Sequence, residues 1–144
     1  MRVLYVASFG GHLAQMERLA EHLSVEKSIR VSTRRLNEAS SEYVITDFNK
    51  TNFWRGGRCV VDIVRIIRRQ PFDVVISTGA APGLLFLLVS RLIGRKTIWI
   101  DSVANCRRLS LSGRFAALFC HITLSQWPQV ASSHRRVRYI GSIL

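Results

Sequence analysis

The stretch Ser8-Phe9-Gly10-Gly11-His12 lies between an apolar run, residues 3–7, and an amphipathic run, residues 13–23. This order predicts a strand, a glycine turn and the start of a helix. Glycine takes backbone angles that are closed to other residues and lets a ligand approach the main chain, and the unpaired amides at a helix start attract anions. We therefore expect a phosphate-binding turn, in which His12 donates to an oxygen or accepts a proton near neutral pH.

Outward from this turn, short apolar runs alternate with helical patterns. Strands are predicted at residues 3–7, 29–33, 43–48, 74–77, 96–100, 121–124 and 137–140, and helices at 13–23, 58–69, 84–93 and 113–119. This alternation predicts one α/β domain over residues 1–144, a Rossmann-like, mostly parallel sheet with helices on both faces. Ligands of such folds bind beyond the carboxyl ends of the strands, where the glycine turn should meet Gly79, Ala80, Asp101 and Ser102.

Basic residues are concentrated in the second part of the chain. Residues 1–51 carry seven Lys and Arg against six Asp and Glu, whereas residues 52–144 carry fourteen against three, and no Asp or Glu follows Asp101. This charge favours an anionic partner: nucleic acid, acidic lipid headgroups or a diphosphate substrate. A solvated basic surface has the same composition. A nucleic-acid function rests on charge alone, because the chain shows no aromatic stacking platform and no recognisable motif.

The three cysteines, Cys59, Cys106 and Cys120, have no close pairing and follow no signal peptide. They are predicted to be buried thiols in a reducing compartment.

No apolar run approaches the roughly 20 residues of a membrane-spanning helix, so no integral anchor is expected. The helix at 84–93 is nevertheless apolar on all sides for most of its length, and sheet, partner or membrane surface must cover it. Phe53 and Trp54 beside Arg55 fit either a headgroup anchor or ordinary packing. The stripe of charged residues on the helix at 58–69 fits a solvated face.

Several common sites are disfavoured by the motifs. A nicotinamide-dinucleotide site needs three spaced glycines and an acid near the end of strand two, which here ends in Thr33-Arg34-Arg35. The lysine of a triphosphate-binding loop and a nucleophile-elbow serine are absent. Cys120 and His121 are neighbours that point to opposite sides of a strand, so they do not form a zinc pair.

Two titratable side chains remain as candidates for chemistry. His12 stands out among the four histidines because it lies on the glycine turn. Asp101 lies at a strand end, where it orients a sugar hydroxyl, accepts a proton, or instead pairs with Arg107 or Arg108.

Six short motifs, in register along nearly the whole chain, resemble the Alg14-like oligosaccharide biosynthesis family, whose bacterial members include the PssD-type proteins of exopolysaccharide synthesis. The motifs are residues 8–12 with Gln15-Met16, then 77–83, 100–102, 109–114, 126–128 and 139–141.

The resemblance implies the acceptor-side, N-terminal half of a two-subunit GT-B glycosyltransferase, similar to the N-terminal domain of MurG. A small separate partner would supply the C-terminal half and most of the nucleotide-sugar site, so this chain alone would be inactive. Its last residues, 141–144, fall where a MurG-like chain would begin its interdomain linker, and the N-terminal membrane anchor of eukaryotic members is expected to be absent.

The reaction that the resemblance implies is an inverting transfer from a UDP-sugar to a saccharide on a polyprenyl diphosphate carrier, in polysaccharide biosynthesis, without metal or other cofactor. We expect a peripheral protein at the cytoplasmic face of the cell membrane, docked on an anionic membrane surface, with no nucleic-acid partner. The alternative is a membrane-recruiting and activating scaffold without catalytic residues, whose partner does all the chemistry.

The family's site residues are carried over by position. His12 is expected to be the general base, with Asp101 as the second candidate. Asp101 stands where the family usually has Glu, and residues 103–106 replace an arginine-containing stretch. The expected substrate-binding residues are Ser8, Gly10, Gly11, Gly79, Ala80, Ser102, Asn105, Arg107, Ser112 and Gly113.

Overall fold

The structure, a computed structural model, describes residues 1–35 and 42–143. Within these residues, seven strands and five α-helices follow one another along the chain: β1 (Arg2–Ala7), α1 (Gly11–His22), β2 (Lys27–Ser32), β3 (Glu42–Val44), α2 (Gly56–Arg69), β4 (Val74–Ser77), α3 (Ala81–Leu92), β5 (Lys96–Ile100), α4 (Leu111–Phe119), β6 (Ile122–Ser125), α5 (Pro128–Ser132) and β7 (Val137–Tyr139). A short 3-10 turn, Phe53–Arg55, precedes α2.

The seven strands form one sheet in the order β3-β2-β1-β4-β5-β6-β7, and every neighbouring pair is parallel. The prediction of a Rossmann-like α/β fold is confirmed. The interior strand β1 is buried almost from end to end, because helices cover both faces of the sheet.

The two faces of β1 belong to two separate clusters of apolar side chains. Val3, Tyr5 and Ala7 pack with residues of α1 on one face. Leu4 and Val6 belong to the cluster that α2, α3 and α4 cover on the other face. A third, smaller cluster joins Leu109 to α5 and β7. The helices that cover the face of Leu4 and Val6 thus include the apolar helix α3 and the arginine-containing helix α2.

The strand order changes direction between β1 and β4. The chain leaves β1 through α1 toward β2, and it leaves β4 through α3 toward β5, which lies on the opposite side. The loops after β1 and β4 therefore diverge and leave a crevice at the carboxyl edge of the sheet, the usual ligand position in an open α/β sheet.

The four predicted helices all begin two or three residues earlier than expected, α2 at Gly56 rather than at residue 58. α1 begins at Gly11, α3 at Ala81 and α4 at Leu111, because a turn residue before each of them accepts the first backbone or capping hydrogen bond. His12 thus lies on the first turn of a helix rather than on a free loop.

Three other expectations differ from the structure. The short helix α5 was not predicted, because five residues that begin with proline carry too little periodicity. The segment predicted as a loop at 49–57 contains the 3-10 turn and the first residues of α2. Cys59 is buried as predicted, but Cys106 is exposed because the loop after β5 carries it at the surface, and Cys120 is partly buried.

Asp62, predicted to lie on a solvated stripe of α2, is hydrogen-bonded to the segment that follows β3 instead. Its carboxylate accepts hydrogen bonds from the backbone amide and the hydroxyl of Thr46, at 3.0 and 2.6 Å. Within the described ranges, no helix has both the length and the apolar character needed to cross a bilayer.

Candidate functional site

The glycine turn after β1 sets the position of His12. Gly10 has a φ of 107°, a conformation that favours glycine, and its carbonyl oxygen accepts hydrogen bonds from the amides of Leu13 and Ala14. A Cβ added at Gly11 would meet no atom within 4 Å, so the main chain there is open to a ligand. The turn therefore exposes uncapped amides at the start of α1, as the sequence predicts for an anion site.

The imidazole of His12 is held across the crevice by the loop after β4. Its Nδ1 atom lies 2.9 Å from the carbonyl oxygen of Thr78, and the Thr78 hydroxyl donates to the carbonyl oxygen of His12 at 2.5 Å. A carbonyl only accepts, so Nδ1 carries the proton of the neutral ring. Nε2 is then left with its lone pair and can accept a proton.

The backbone under His12 requires glycine at position 79. Gly79 has a φ of 145°, and a Cβ built there would lie 2.2 Å from His12 Nδ1. The next residue, Ala80, has a φ of 68°, in the left-handed region that residues with a Cβ rarely adopt. The loop after β4 is thus shaped so that its backbone touches the histidine ring.

A cleft of about 300 Å³ opens at this point of the carboxyl edge. Its lining comes from α1, from the loops after β4 and β5, and from the start of α4: His12, Gly79, Ala80, Trp99, Asp101, Ser102, Ala104, Asn105, Ser110, Leu111 and Ser112. The predicted convergence of the β4 and β5 segments on His12 is seen in the structure.

Asp101 is buried and its carboxylate is engaged by neighbouring donors. Oδ1 accepts from Trp99 Nε1 at 3.1 Å and from the Ser110 hydroxyl at 2.5 Å, and Oδ2 accepts from the Ser110 amide at 2.9 Å. The alternative of an ion pair with Arg107 or Arg108 is wrong, since no such pair occurs among the described residues. Ser110 also caps α4 through the Gly113 amide, so Asp101 fixes the start of that helix.

Two buried glutamines without a role predicted from the sequence form hydrogen bonds with residues that line the cleft. Gln126 Nε2 donates to Gln15 Oε1 at 2.8 Å and to the carbonyl oxygen of Asp101 at 3.1 Å, and Gln15 Nε2 donates to the Ser102 hydroxyl at 3.3 Å. Trp127 Nε1 donates to the carbonyl oxygen of Val103. Gln15 and Gln126 belonged to recognised motifs, but only the structure brings them together.

The other predicted substrate-binding residues lie in different parts of the site. Gly79, Ala80, Ser102, Asn105 and Ser112 line the cleft with His12 and Asp101. Ser8, Gly10 and Gly11 lie at the end of β1, where the buried hydroxyl of Ser8 has no hydrogen-bond partner among the described residues.

Gly113 and Arg107 have different surroundings. Gly113 lies behind the cleft, and a Cβ there would approach Asp101 Oδ1 to 2.6 Å. Arg107 is exposed and does not line the cleft, whereas the next residue, Arg108, lines a neighbouring pocket.

That neighbouring pocket is basic and was not predicted as a unit. It has a volume of about 460 Å³ and is lined by Lys50, Asn105, Arg108, Leu109, Ser110, Leu111 and Arg114. The signal in the sequence was only the excess of basic residues, because Lys50 is far along the chain from the other two cations.

An apolar groove lies beside the basic pocket on the side of α3 and α4. It encloses about 390 Å³ and is lined by Phe48, Ala81, Leu84, Leu85, Leu88, Phe115, Leu118 and Phe119. In the parts of the chain that the structure describes, no three His, Cys, Asp or Glu residues are grouped as metal ligands.

Comparison with known sequences gives one family. The profile described as "Oligosaccharide biosynthesis protein Alg14 like" matches residues 58–143. A protein of Yarrowia lipolytica named "UDP-N-acetylglucosamine transferase subunit ALG14" is 33% identical over 87 residues, which cover 56% of this chain and 40% of the relative. The subunit of the same name from Schizosaccharomyces pombe is 27% identical over 133 residues, 87% of this chain and 60% of the relative. The chain thus spans about half the length of these curated relatives.

Among solved structures, MurG of Acinetobacter baumannii superposes with a TM-score of 0.78 at 13% identity, over 99% of this chain and 46% of MurG. A putative UDP-N-acetylglucosamine 2-epimerase of Listeria monocytogenes superposes with a TM-score of 0.59 at 11% identity, over 92% of this chain and 41% of the epimerase. At these identities the likeness concerns the fold, and it gives this chain the architecture of the N-terminal half of a GT-B protein.

Proposed function

Because the chain belongs to the Alg14-like oligosaccharide biosynthesis family, we propose that it is the acceptor- and membrane-binding subunit of a two-component inverting glycosyltransferase. The donor is a UDP-sugar, and the acceptor is a saccharide on a polyprenyl diphosphate carrier in polysaccharide biosynthesis. The curated relatives support this proposal, since their names describe a subunit of a UDP-N-acetylglucosamine transferase. For this chain the transferred group is a hexose or a hexuronic acid.

The observation that carries the proposal is the orientation of His12. Its Nδ1 atom donates to Thr78, so Nε2 is free to take the proton of an acceptor hydroxyl in the cleft. As that proton moves to Nε2, the acceptor oxygen bonds to the anomeric carbon of the donor and UDP leaves from the opposite face with the electrons of the broken bond. The configuration at the anomeric carbon inverts.

Asp101 takes a supporting part in this proposal. Both carboxylate oxygens already accept hydrogen bonds from Trp99 or Ser110, and the side chain is buried. A base must reach the proton that it removes, and this carboxylate is occupied with holding the start of α4. His12 is therefore the base, and Asp101 positions the cleft residues that follow it.

The partner subunit supplies the other half of the reaction centre. A partner that carries a nucleotide-sugar site would complete the cleft in the complex. No metal or other cofactor takes part in the proposed transfer, so EDTA should leave the rate of the complex unchanged. The chain alone should show no transfer.

The surface of α2, α3 and α4 is proposed to dock on the cytoplasmic face of the cell membrane. Phe53 and Trp54 are 71% and 68% exposed, and their rings contact each other edge to face with centroids 5.9 Å apart. Leu92 and Leu118 are exposed by 77% and 69%. The same side carries the cations Arg55, Arg58, Arg65, Arg68 and Arg114. Apolar and basic side chains on one face suit an anionic bilayer surface.

Two experiments test the function. A tagged pull-down from detergent-solubilised membranes should recover a small stoichiometric partner with a nucleotide-sugar domain. The complex should then transfer sugar from a UDP-sugar to a lipid-linked acceptor. If His12→Ala leaves the rate of the complex unchanged, the chain is a non-catalytic scaffold and the proposed chemistry is wrong.

Membrane docking has its own test. The purified chain should sediment with vesicles that contain anionic lipid at low salt and be released at high salt. Trp54→Ala should weaken this binding, whereas Arg135→Ala, on the opposite edge of the sheet, should weaken it less. Failure to bind anionic vesicles would contradict the docking proposal.

A further inference from the structure

We propose that Lys50, Arg108 and Arg114 bind the diphosphate linker of the lipid-linked acceptor, and that the first part of its hydrocarbon chain lies in the apolar groove beside them. This inference rests on the proposed function, and it assigns a position to each chemical part of the acceptor. In this proposal the cleft that contains His12 is left to the reacting sugar, and the diphosphate lies in the cation pocket rather than on the glycine turn that the sequence predicts for phosphate.

The three cations are available for a ligand. All three residues are exposed, and the salt bridges of the described residues do not include them. No carboxylate lines their pocket. Asp101, the carboxylate nearest in sequence to the two arginines, is buried with both oxygens hydrogen-bonded, and Asp47, three residues before Lys50, does not line the pocket. Three unpaired cations around one concavity favour a dianion or a diphosphate, because guanidinium groups bind phosphate oxygens through paired N–H donors.

The pocket is continuous with the cleft that contains His12. Asn105, Ser110 and Leu111 line both of them. The first turn of α4 begins at this shared wall. The hydroxyl of Ser110, the residue that caps α4, donates to Asp101 and accepts from the Gly113 amide. A sugar in the cleft thus has an anion-binding concavity directly beside it.

The pocket adjoins the apolar groove through neighbouring residues, although no residue lines both. Arg114 lines the pocket, and the next residue of α4, Phe115, lines the groove. On the opposite wall, Lys50 lines the pocket and Phe48 lines the groove. Sugar site, cation pocket and apolar groove are therefore neighbours, as saccharide, diphosphate and prenyl chain are in the acceptor.

The groove has the chemistry of a hydrocarbon site. Eight apolar side chains line it, and three of them, Leu88, Phe115 and Leu118, are among the exposed large hydrophobic residues. The cation pocket beside it indicates an amphiphile with an anionic head rather than a protein segment. Burial of a prenyl unit there would remove apolar surface from water, which favours binding.

The test uses the purified full chain and soluble probes, so it needs neither partner nor turnover. Binding of farnesyl diphosphate, inorganic pyrophosphate and UDP is measured by calorimetry for the wild type and for two double variants. Arg108→Ala with Arg114→Ala removes two cations of the pocket. Arg135→Ala with Arg138→Ala removes the same charge at a separate pocket beside the start of β6.

We expect the first double variant to bind farnesyl diphosphate and pyrophosphate at least about tenfold more weakly, and the second to bind both as the wild type does. Leu118→Ser should weaken farnesyl diphosphate about fivefold and leave pyrophosphate unchanged, because only the former reaches the groove. All substituted side chains are exposed, and circular dichroism confirms folding.

Two results would overturn the proposal. Equal losses in the two double variants would mean that general charge attraction, not the pocket, binds the probes. A stronger response to UDP than to farnesyl diphosphate would give the pocket to the donor instead of the acceptor.

The reconstituted complex separates this inference from the proposed function. If prenyl diphosphates bind as expected but no sugar is transferred, the subsite stands and the proposed function fails. If the Arg108→Ala and Arg114→Ala complex transfers sugar with an unchanged KM for the acceptor, the function stands and the subsite is wrong. The expected result is a raised acceptor KM with an unchanged donor KM.

Discussion

His12 Nδ1 lies 2.9 Å from the carbonyl oxygen of Thr78, so one hydrogen bond joins the first turn of α1 to the loop after β4 across the point where the strand order changes direction. The contact fixes both the ring orientation and the tautomer, because a carbonyl requires a donor. A base positioned in this way typically contributes 10² to 10⁴-fold to a rate.

The first prediction follows from this contact. His12→Ala should lower kcat of the complex by about 10² to 10⁴-fold with little change in donor KM. His12→Asn is the matched variant, since its amide can still donate to the Thr78 carbonyl but cannot accept a proton from the acceptor. Steady-state kinetics should give similar losses for both. A near-normal rate for Asn with a large loss for Ala would indicate that His12 only orients the loop.

The second prediction concerns the glycine under the histidine ring. Gly79→Ala places a Cβ 2.2 Å from His12 Nδ1 at a φ of 145°, and it should destabilise the fold by about 1–3 kcal/mol. Displacing the base by about 1 Å should also lower kcat by about 10²-fold. Thermal unfolding and turnover measure the two effects.

Gly57→Ala is the control for this change. Gly57 lies in α2, and a Cβ there meets no atom within 4 Å. Alanine should stabilise this helix by about 0.5–1 kcal/mol and leave kcat unchanged. Unchanged stability in both variants would contradict the steric account of Gly79.

The third prediction separates a supporting Asp101 from a proton-accepting one. Asp101→Asn and Ser110→Ala each break the contact that fixes the start of α4, and each should cost about 1–2 kcal/mol of unfolding free energy. Because they remove the same interaction, the double variant should lose less than the sum. Chemical denaturation of the four proteins measures this coupling.

Turnover of the same variants decides the role. If Asp101 supports the cleft, both single variants should show similar, modest decreases in kcat. A loss above about 10²-fold in Asp101→Asn that Ser110→Ala does not reproduce would make Asp101 the base.

The β1 and β4 turns could be predicted from the sequence because their signals are local: an apolar run, a glycine and a helical period. The partners of Asp101 could not, because the sequence showed neighbouring arginines, whereas Ser110 caps α4 and presents both its amide and its hydroxyl to the carboxylate. The hydrogen bond between Gln15 and Gln126 could not be predicted either, because it depends on the strand order β1-β4-β5-β6, which brings the segments after β1 and β6 to the same end of the sheet.

The basic pocket shows the same limit of local signals. Lys50 precedes the 3-10 turn, and Arg108 and Arg114 follow β5, so only the packing of α3 between α2 and α4 brings these segments to one wall. The excess of basic residues predicted an anionic ligand without a position for it.

The last prediction concerns the stability of the fold at acid pH, and it rests on a contact at the amino ends of β1 and β4, away from the cleft. Asp73 accepts from the Arg2 guanidinium at 2.9 Å and from the Arg2 amide at 2.8 Å, and Asp73 N donates back to the Arg2 carbonyl. The side-chain contact with Arg2, followed by the backbone contact, lowers the pKa of Asp73 from 3.8 to about 2.

A carboxyl whose pKa is lower in the folded chain stabilises the fold above its unfolded pKa and loses that effect as pH falls through the folded pKa. The difference in Tm between the wild type and Asp73→Asn should therefore be constant near neutral pH and shrink between about pH 4 and about pH 2. The exposed Asp47, which makes no ion pair among the described residues, supplies the control Asp47→Asn. A difference for Asp73→Asn that stays constant through this acid range would mean that the pair with Arg2 does not persist in solution.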